Sequence, residues 1–346
     1  MALACHVMEP HPTARRFRFF GRDAAADSPL YGQLAQLVAE SPELLELAER
    51  SPERTPMVFF AAFHDELLRN PGHALAASYP SVGGHGPGPG LAEALTSFCA
   101  ERADRLEATL ATRRTQTNET ARCGGLLPAF AAVADGRPLA LIEIGASAGL
   151  NLRWDHYAYD YGARAAGVPS SPLTIACELR GPNLPPLDPP PVSWRAGVDL
   201  APVDASDPAD ARWLHACLWP DQPARHARLE AALAVAREHP VEIRRDDALA
   251  LLPGLIAEAP DDALVCVFHS AVLAYFTRAE IDALRALLAR VERDVAWVAG
   301  EAPGLLTGER AEAPAHFSLA VGRPGALVER GRMGHHGGWL EWGSDG

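Results

Sequence analysis

Leu139-Ala140-Leu141-Ile142-Glu143-Ile144-Gly145-Ala146-Ser147-Ala148-Gly149-Leu150-Asn151-Leu152 reads as a strand, a turn and the start of a helix. Leu139 to Ile144 is a short apolar run of the kind that forms a strand buried on both faces. Gly145 and Gly149 then bracket a turn of small residues. From about Ala148 the pattern becomes helical. In an open α/β sheet this arrangement lets the backbone approach a ligand and aims N–H groups of the following helix at it.

Upstream of this stretch the chain reads as helical. Ser28-Pro29, Ser41-Pro42 and Ser51-Pro52 each combine an N-cap residue with a proline suited to the first helical position. Helices are expected over Pro42 to Arg50, Met57 to Leu68, Leu91 to Thr112 and Gln116 to Val133, the last interrupted near Gly124-Gly125. The Gly/Pro-rich segment Val82 to Gly90 is a loop.

Downstream, short apolar runs alternate with helical segments. Candidate strands are Leu173 to Cys177, Val241 to Arg244, Ala263 to Phe268, Val295 to Val298 and Phe317 to Val321, with a small inserted hairpin around Tyr157 to Gly162. Helices are expected over Pro208 to Leu218, over Pro223 to Glu238 and after the capping box Thr277-Arg278-Ala279-Glu280. Phe317 to Val321, the turn Arg323-Pro324-Gly325 and Ala326 to Glu329 form an antiparallel hairpin, and Trp339 to Trp342 adds an edge strand. The expected fold is α/β: a Rossmann-like, doubly wound, mostly parallel sheet with a C-terminal antiparallel hairpin and an N-terminal all-helical cap. The domain boundaries read as 1–137 for the helical cap and 138–346 for the Rossmann-like domain.

Composition narrows the function. The net charge of −13 argues against a nucleic-acid or anionic-membrane binder. No apolar run is long enough for a transmembrane helix, and the N-terminus lacks a signal-peptide pattern. The six cysteines, Cys5, Cys99, Cys123, Cys177, Cys217 and Cys266, form no CxxC pair, as expected for buried free thiols in a reducing cytoplasm. The chain contains no lysine, so a Schiff-base lysine, a P-loop lysine and a Ser-Lys dyad are excluded. His335-His336 in a Gly-rich turn does not make a metal site, and no zinc spacing occurs, so no metal is expected.

The Gly turn supports a nucleotide-like ligand. Such sheets place an acid at the end of the next strand, where it takes both ribose hydroxyls; the candidate is Glu178, after Leu173 to Cys177. Asp247, after the following strand, is placed to reach an adenine amino group. Glu143 lies inside the first strand and needs partners there. The same residues also spell G-x-S-x-G, the nucleophile elbow of serine hydrolases, with Ser147 as nucleophile and Asp199, Asp247, His269 and His316 as candidate partners. The helical upstream region, where a hydrolase would need strands, and Glu143 beside the turn both count against that alternative.

Nearly the whole chain resembles a bacterial domain family of unknown function whose signature is read here as GASAGLNL. The resemblance rests on Ser28-Pro29-Leu30-Tyr31, Thr115-Gln116-Thr117-Asn118-Glu119, Leu141 to Leu152, Arg195-Ala196-Gly197-Val198-Asp199-Leu200, Trp213-Leu214, Trp219-Pro220-Asp221-Gln222 and Gly338-Trp339-Leu340-Glu341-Trp342. Where that family reads Gly-Asp-Ala, this chain has Asp246-Asp247-Ala248. The family in turn is similar to divergent class I methyltransferases, which carry an acid just before the Gly-rich turn. That likeness implies S-adenosylmethionine as cofactor, held by Glu143, Gly145, Ala146, Ser147, Gly149, Asn151, Glu178 and Asp247, although Ser147 stands where those enzymes usually have glycine. It implies a small-molecule acceptor beside Gln116, Asn118 and His269; His269, which ends the strand Ala263 to Phe268 on the ligand side of the sheet, is also read from that position as a general base. An NAD-binding or non-catalytic protein is the other alternative. Arg195, Asp199 and Asp221 are read as an internal ion-pair network.

Overall fold

The computed structural model describes residues 11–308 and 316–343. The helices in chain order are α1 (Pro12–Ala24), α2 (Pro29–Glu40), α3 (Pro42–Ala48), α4 (Pro56–Arg69), α5 (Leu91–Thr112), α6 (Cys123–Ala134), α7 (Pro208–Ala216), α8 (Pro223–Glu238), α9 (Ala248–Glu258) and α10 (Arg278–Arg290). The strands are β1 (Leu139–Ile144), β2 (Ala158–Asp160), β3 (Ala165–Gly167), β4 (Thr174–Arg180), β5 (Val192–Asp199), β6 (Ile243–Arg245), β7 (Leu264–Ser270), β8 (Val295–Glu301), β9 (His316–Arg323), β10 (Ala326–Gly334) and β11 (Gly338–Trp342).

The chain divides into two compact units. The first runs up to Thr117 and takes in Pro208–Ala227; the second comprises Asn118–Asp207 and Arg228–Gly346. This differs from the boundary at 137 read from the sequence. The segment 118–137, including α6, belongs with the sheet, and α7 with the start of α8 belongs with the helices.

The helical unit is built on local signals that largely hold. Ser28 and Ser41 accept from the backbone N–H groups of Tyr31 and Leu44, each with proline opening the helix. Such caps contribute about 1 kcal/mol each. Ser51-Pro52 starts no helix. Thr55-Pro56 carries the same signal four residues on; proline holds Thr55 extended, Thr55 caps α4, and Arg54 sits at positive φ. The core is aromatic: Phe17, Tyr31, Phe59, Phe60, Phe63 and Phe98 are fully buried.

The second unit is a mixed α/β fold with a large, mostly parallel sheet and a C-terminal group of antiparallel strands. The strand order is β3-β2-β4-β11-β10-β9-β8-β7-β1-β5-β6. The run β8-β7-β1-β5-β6 is parallel throughout. β1 is buried along its whole length because both faces are covered. Ala140, Ile142 and Ile144 pack with α9 and α10, while on the alternate face α6 supplies Phe130, in edge contact with Phe268 at 5.0 Å.

Four local expectations are corrected. Gln116–Glu119 is not helical; Glu119 instead caps the short 3-10 turn Thr120–Arg122. After the Gly turn comes a 3-10 helix, Asn151–His156, kinked at Arg153, rather than an α-helix. The Arg153 guanidinium bonds the carbonyls of Ala148 and Gly149, so they are not continued into helical bonds. β11 is not an edge strand; it lies between β10 and β4. β5 was not anticipated as a strand, although it is the neighbour of β1.

Candidate functional site

The site lies in the second unit, at the carboxyl ends of β1, β5 and β7. Sequence chemistry sets its backbone first. Gly145, Ser147 and Gly149 all have positive φ, 70°, 53° and 65°. A side chain on Gly145 would also collide with Val272, whose Cγ2 lies 2.4 Å from an added Cβ. On β5, Gly197 leaves room for Ala146, whose Cβ would lie 2.6 Å from a Cβ there. A glycine in the turn and a glycine on β5 thus let the turn sit tightly against its neighbour.

The turn is held from β5. The N–H groups of Gly145 and Ala146 donate to Val198 O at 2.9 and 3.2 Å, and Gly149 N donates to Ala146 O at 2.6 Å. Ser147 N donates to Asp199 Oδ2 at 2.8 Å, and Ala201 N donates to Asp199 Oδ1 at 2.8 Å. The expectation of free N–H groups aimed at the ligand is therefore corrected: four of the turn's N–H groups are engaged within the protein. A phosphate cradle of the P-loop or dinucleotide type depends on such groups.

Asp199 is the residue sequence reading missed. The acid at the end of the strand next to β1 is Asp199, not Glu178. Glu178 stands on β4, separated from β1 by five other strands, and its exposed carboxylate pairs with Arg180 at 2.7 Å. The reason is the long excursion through β2, β3 and β4 that precedes β5. Asp199 lies 52 residues beyond Ser147, well outside the usual spacing of about 20. The signal was present in Ala196-Gly197-Val198-Asp199, a small and apolar run ending in an acid. The expected network of Arg195, Asp199 and Asp221 does not form. Arg195 makes a two-pronged pair with Asp155, both contacts 2.8 Å, and bonds Leu152 O; Asp199 serves backbone N–H groups; Asp221 belongs to the helical unit.

Glu143, Asn151 and Asn118 do gather around the turn. Asn151 donates to Glu143 Oε1 at 3.3 Å and accepts from the Cys123 thiol. Asn118 donates to Ala146 O at 2.7 Å. Glu143 Oε2, Ser147 Oγ, Asn118 Oδ1 and the Ser270 hydroxyl at the end of β7 are buried without a hydrogen-bond partner. Buried polar atoms are nearly always paired, so these orphans are the candidate contacts for a polar ligand. Burial pushes the Glu143 carboxyl well above the usual carboxylate range, and nearby Asp199 adds to this, against the hydrogen bond from Asn151.

The sign of that shift gives a pH prediction. A carboxyl whose folded pKa is raised favours folding fully below its unfolded value of 4.5 and loses that contribution as pH rises towards the folded value. Glu143→Gln is expected to melt above the parent at pH 8 by roughly 2–4 °C, the displacement produced by about 1 kcal/mol, and the two midpoints converge near pH 4.5. Calorimetry across that range checks it; parallel pH curves would refute it.

His269 is placed differently from the expectation of a general base. It is fully buried on β7. Nδ1 lies 2.7 Å from Glu301 Oε1, and the Trp297 indole N–H donates to Nε2 at 3.0 Å. With both ring nitrogens engaged, it has none to offer an acceptor. Its role is positional: Glu301 also accepts from Val272 N and Leu273 N, and Val272 is the residue packed on Gly145. Asp247, on the exposed end of the β6–α9 connection, caps α9 through Leu249 N and Ala250 N. Gln116 lies in the helical unit, buried, with its N–H directed at Cys217 Sγ. The structure thus joins Asn118, Glu143, Asn151 and the turn, adds Asp199 and Ser270, and does not bring Glu178 to them.

Among the described residues no helix is long and apolar enough to cross a membrane. Cys99, Cys123, Cys177, Cys217 and Cys266 are free and buried, while Cys5 lies outside the described residues. Burial pushes the thiols of Cys99, Cys177 and Cys217 up to about 12.

The architecture defines a mixed α/β protein with a large, mostly parallel sheet, and buried polar atoms without partners lie at the carboxyl ends of its parallel strands. The chain belongs to the family described as uncharacterized protein conserved in bacteria (DUF2332), whose model matches residues 14–342. No curated protein and no solved structure matches it.

Proposed function

We propose that the second unit is a Rossmann-like domain that binds S-adenosylmethionine and transfers its methyl group to a small-molecule acceptor. The observation that carries this reading is the pairing of Asp199 with a turn whose N–H groups are already engaged. A parallel order with β1 at its centre places ligands outside the strand ends, where the order reverses between β1 and β7. An acid at the end of the neighbouring strand suits a ribose diol; each carboxylate oxygen of Asp199 keeps a lone pair after serving one backbone N–H. A turn with few free N–H groups suits a nucleoside without phosphates better than a pyrophosphate, which favours S-adenosylmethionine over NAD.

The residues present fit this cofactor. Asp199 would hold the ribose, and the orphaned oxygens of Glu143, Ser147 and Asn118 would receive the ammonium and hydroxyl donors of the nucleoside and amino-acid portions. Asp247 keeps one oxygen clear of its cap and would serve the adenine side. Bound, the cofactor supplies an electrophilic methyl group. The protein's own contribution is then alignment of the acceptor, with Asn118 and Ser270 as positioning groups. The serine-hydrolase reading has one feature in its favour, the positive φ of Ser147, but no imidazole bonds its hydroxyl.

Calorimetric titration of the full chain with S-adenosylmethionine, S-adenosylhomocysteine and NAD tests this. Saturable binding of the adenosyl ligands and none of NAD is the expected result. Binding of NAD alone, or labelling of Ser147 by a fluorophosphonate, would overturn it.

A further inference from the structure

The helical unit holds a second group of orphaned polar atoms that the cofactor reading does not use. The hydroxyls of Tyr31 and Tyr79 and both carboxylate oxygens of Asp221 are buried without hydrogen-bond partners. Tyr31 is 1 % exposed and Tyr79 is 0 %. They converge on one segment. The Tyr31 ring lies 6.1 Å from Trp219, two residues before Asp221. The Tyr79 ring lies 5.6 Å from His64, whose Nδ1 faces the carbonyls of Ala216 and Leu218 at 3.1 and 3.2 Å. Both phenols lie within electrostatic reach of the Asp221 charge.

The charge balance selects the ligand. Asp221 forms no ion pair among the described residues, and an uncompensated buried carboxylate is costly. The two imidazoles packed against this segment do not supply the missing charge: burial pushes His64 down to about 3 and His226 down to about 4, the latter helped by His215. What remains is a negative group, two phenols able to donate or accept, and the aromatic face of Trp219. Aromatic faces and a carboxylate together favour a cation, and hydroxyls lacking partners favour one that can hydrogen-bond.

We propose that the helical unit binds a small primary ammonium compound, with Asp221 as counter-ion, Tyr31 and Tyr79 as hydrogen-bonding groups and Trp219 as an apolar wall. An R–NH₃⁺ group has three N–H donors, matching one carboxylate and two phenolic oxygens. A quaternary ammonium would leave the hydroxyls unserved.

The test titrates the full chain with methylammonium, tetramethylammonium and methanol, followed by calorimetry and by the indole and phenol resonances. Saturable binding of methylammonium alone is expected, weakened roughly tenfold or more in Asp221→Asn and several-fold in Tyr79→Phe. Circular dichroism confirms that each variant is folded, and Tyr31→Phe serves if Asp221→Asn is not. The proposal is overturned if no amine binds, if tetramethylammonium or methanol binds as well as methylammonium, if the variants bind undiminished, or if a crystal grown with methylammonium shows only water between these groups. The site is independent of the adenosyl reading, since its residues all lie in the other unit.

Discussion

On the proposed reading, Asp199→Ala is expected to weaken the binding of S-adenosylmethionine by roughly ten- to a hundredfold, and Glu178→Ala to leave it unchanged. The magnitude is that of hydrogen bonds to a charged group, about 1.5–3 kcal/mol. Two effects combine at Asp199. The proposed ribose contact is lost, and so is the acceptor for Ser147 N and Ala201 N, which fixes the turn against β5. Asp199→Asn separates them: its amide oxygen can keep one N–H contact, so the turn is better preserved than in Asp199→Ala while the charge is gone. Glu178 is the internal control, because its exposed pair with Arg180 is a surface contact worth little. Paired titrations of the three variants decide the matter. Equal losses in Glu178→Ala and Asp199→Ala would mean that the ligand does not sit at the β1–β5 edge.

The second large effect is on stability. His269→Ala is expected to destabilise the second unit by about 3–5 kcal/mol, the range for removing one member of a fully buried polar pair. Truncation leaves Glu301 without its shortest partner, strands the Trp297 N–H and opens a cavity between β7 and β8. It also loosens the anchor for Val272, and through Val272 the packing against Gly145. His269→Gln, which can still offer a donor and an acceptor, loses less. Urea unfolding of the two variants, read by tryptophan fluorescence, gives the comparison. A general base facing substrate would behave oppositely: its removal would cost activity and leave stability nearly intact.

The same two residues show how far the sequence could be read. The stretch around Gly145 located the first strand and the turn after it, because apolar runs and glycine turns are local signals. Glu143, Asn151 and Asn118 were picked out and do surround the turn. Asp199 was misread as part of an ion-pair network and Glu178 was put in its place. Both are acids after short strand-like runs, and nothing local says which run pairs with β1. His269 read as a candidate base because it ends a strand on the ligand side of the sheet. Its closure by Trp297 and Glu301 depends on the neighbouring strand 28 and 32 residues away.

By itself, then, the sequence determined the α/β class, most helix ends and the position of the Gly turn, since caps, prolines and apolar periodicity act over a few residues. Only the tertiary structure decided strand order, the division of the chain at Thr117 and Pro208, the identity of the acid beside the turn and the gathering of Tyr31, Tyr79 and Asp221. Those depend on which distant surfaces pack together, and strand pairing makes neighbours of residues whose separation in sequence carries no trace of it.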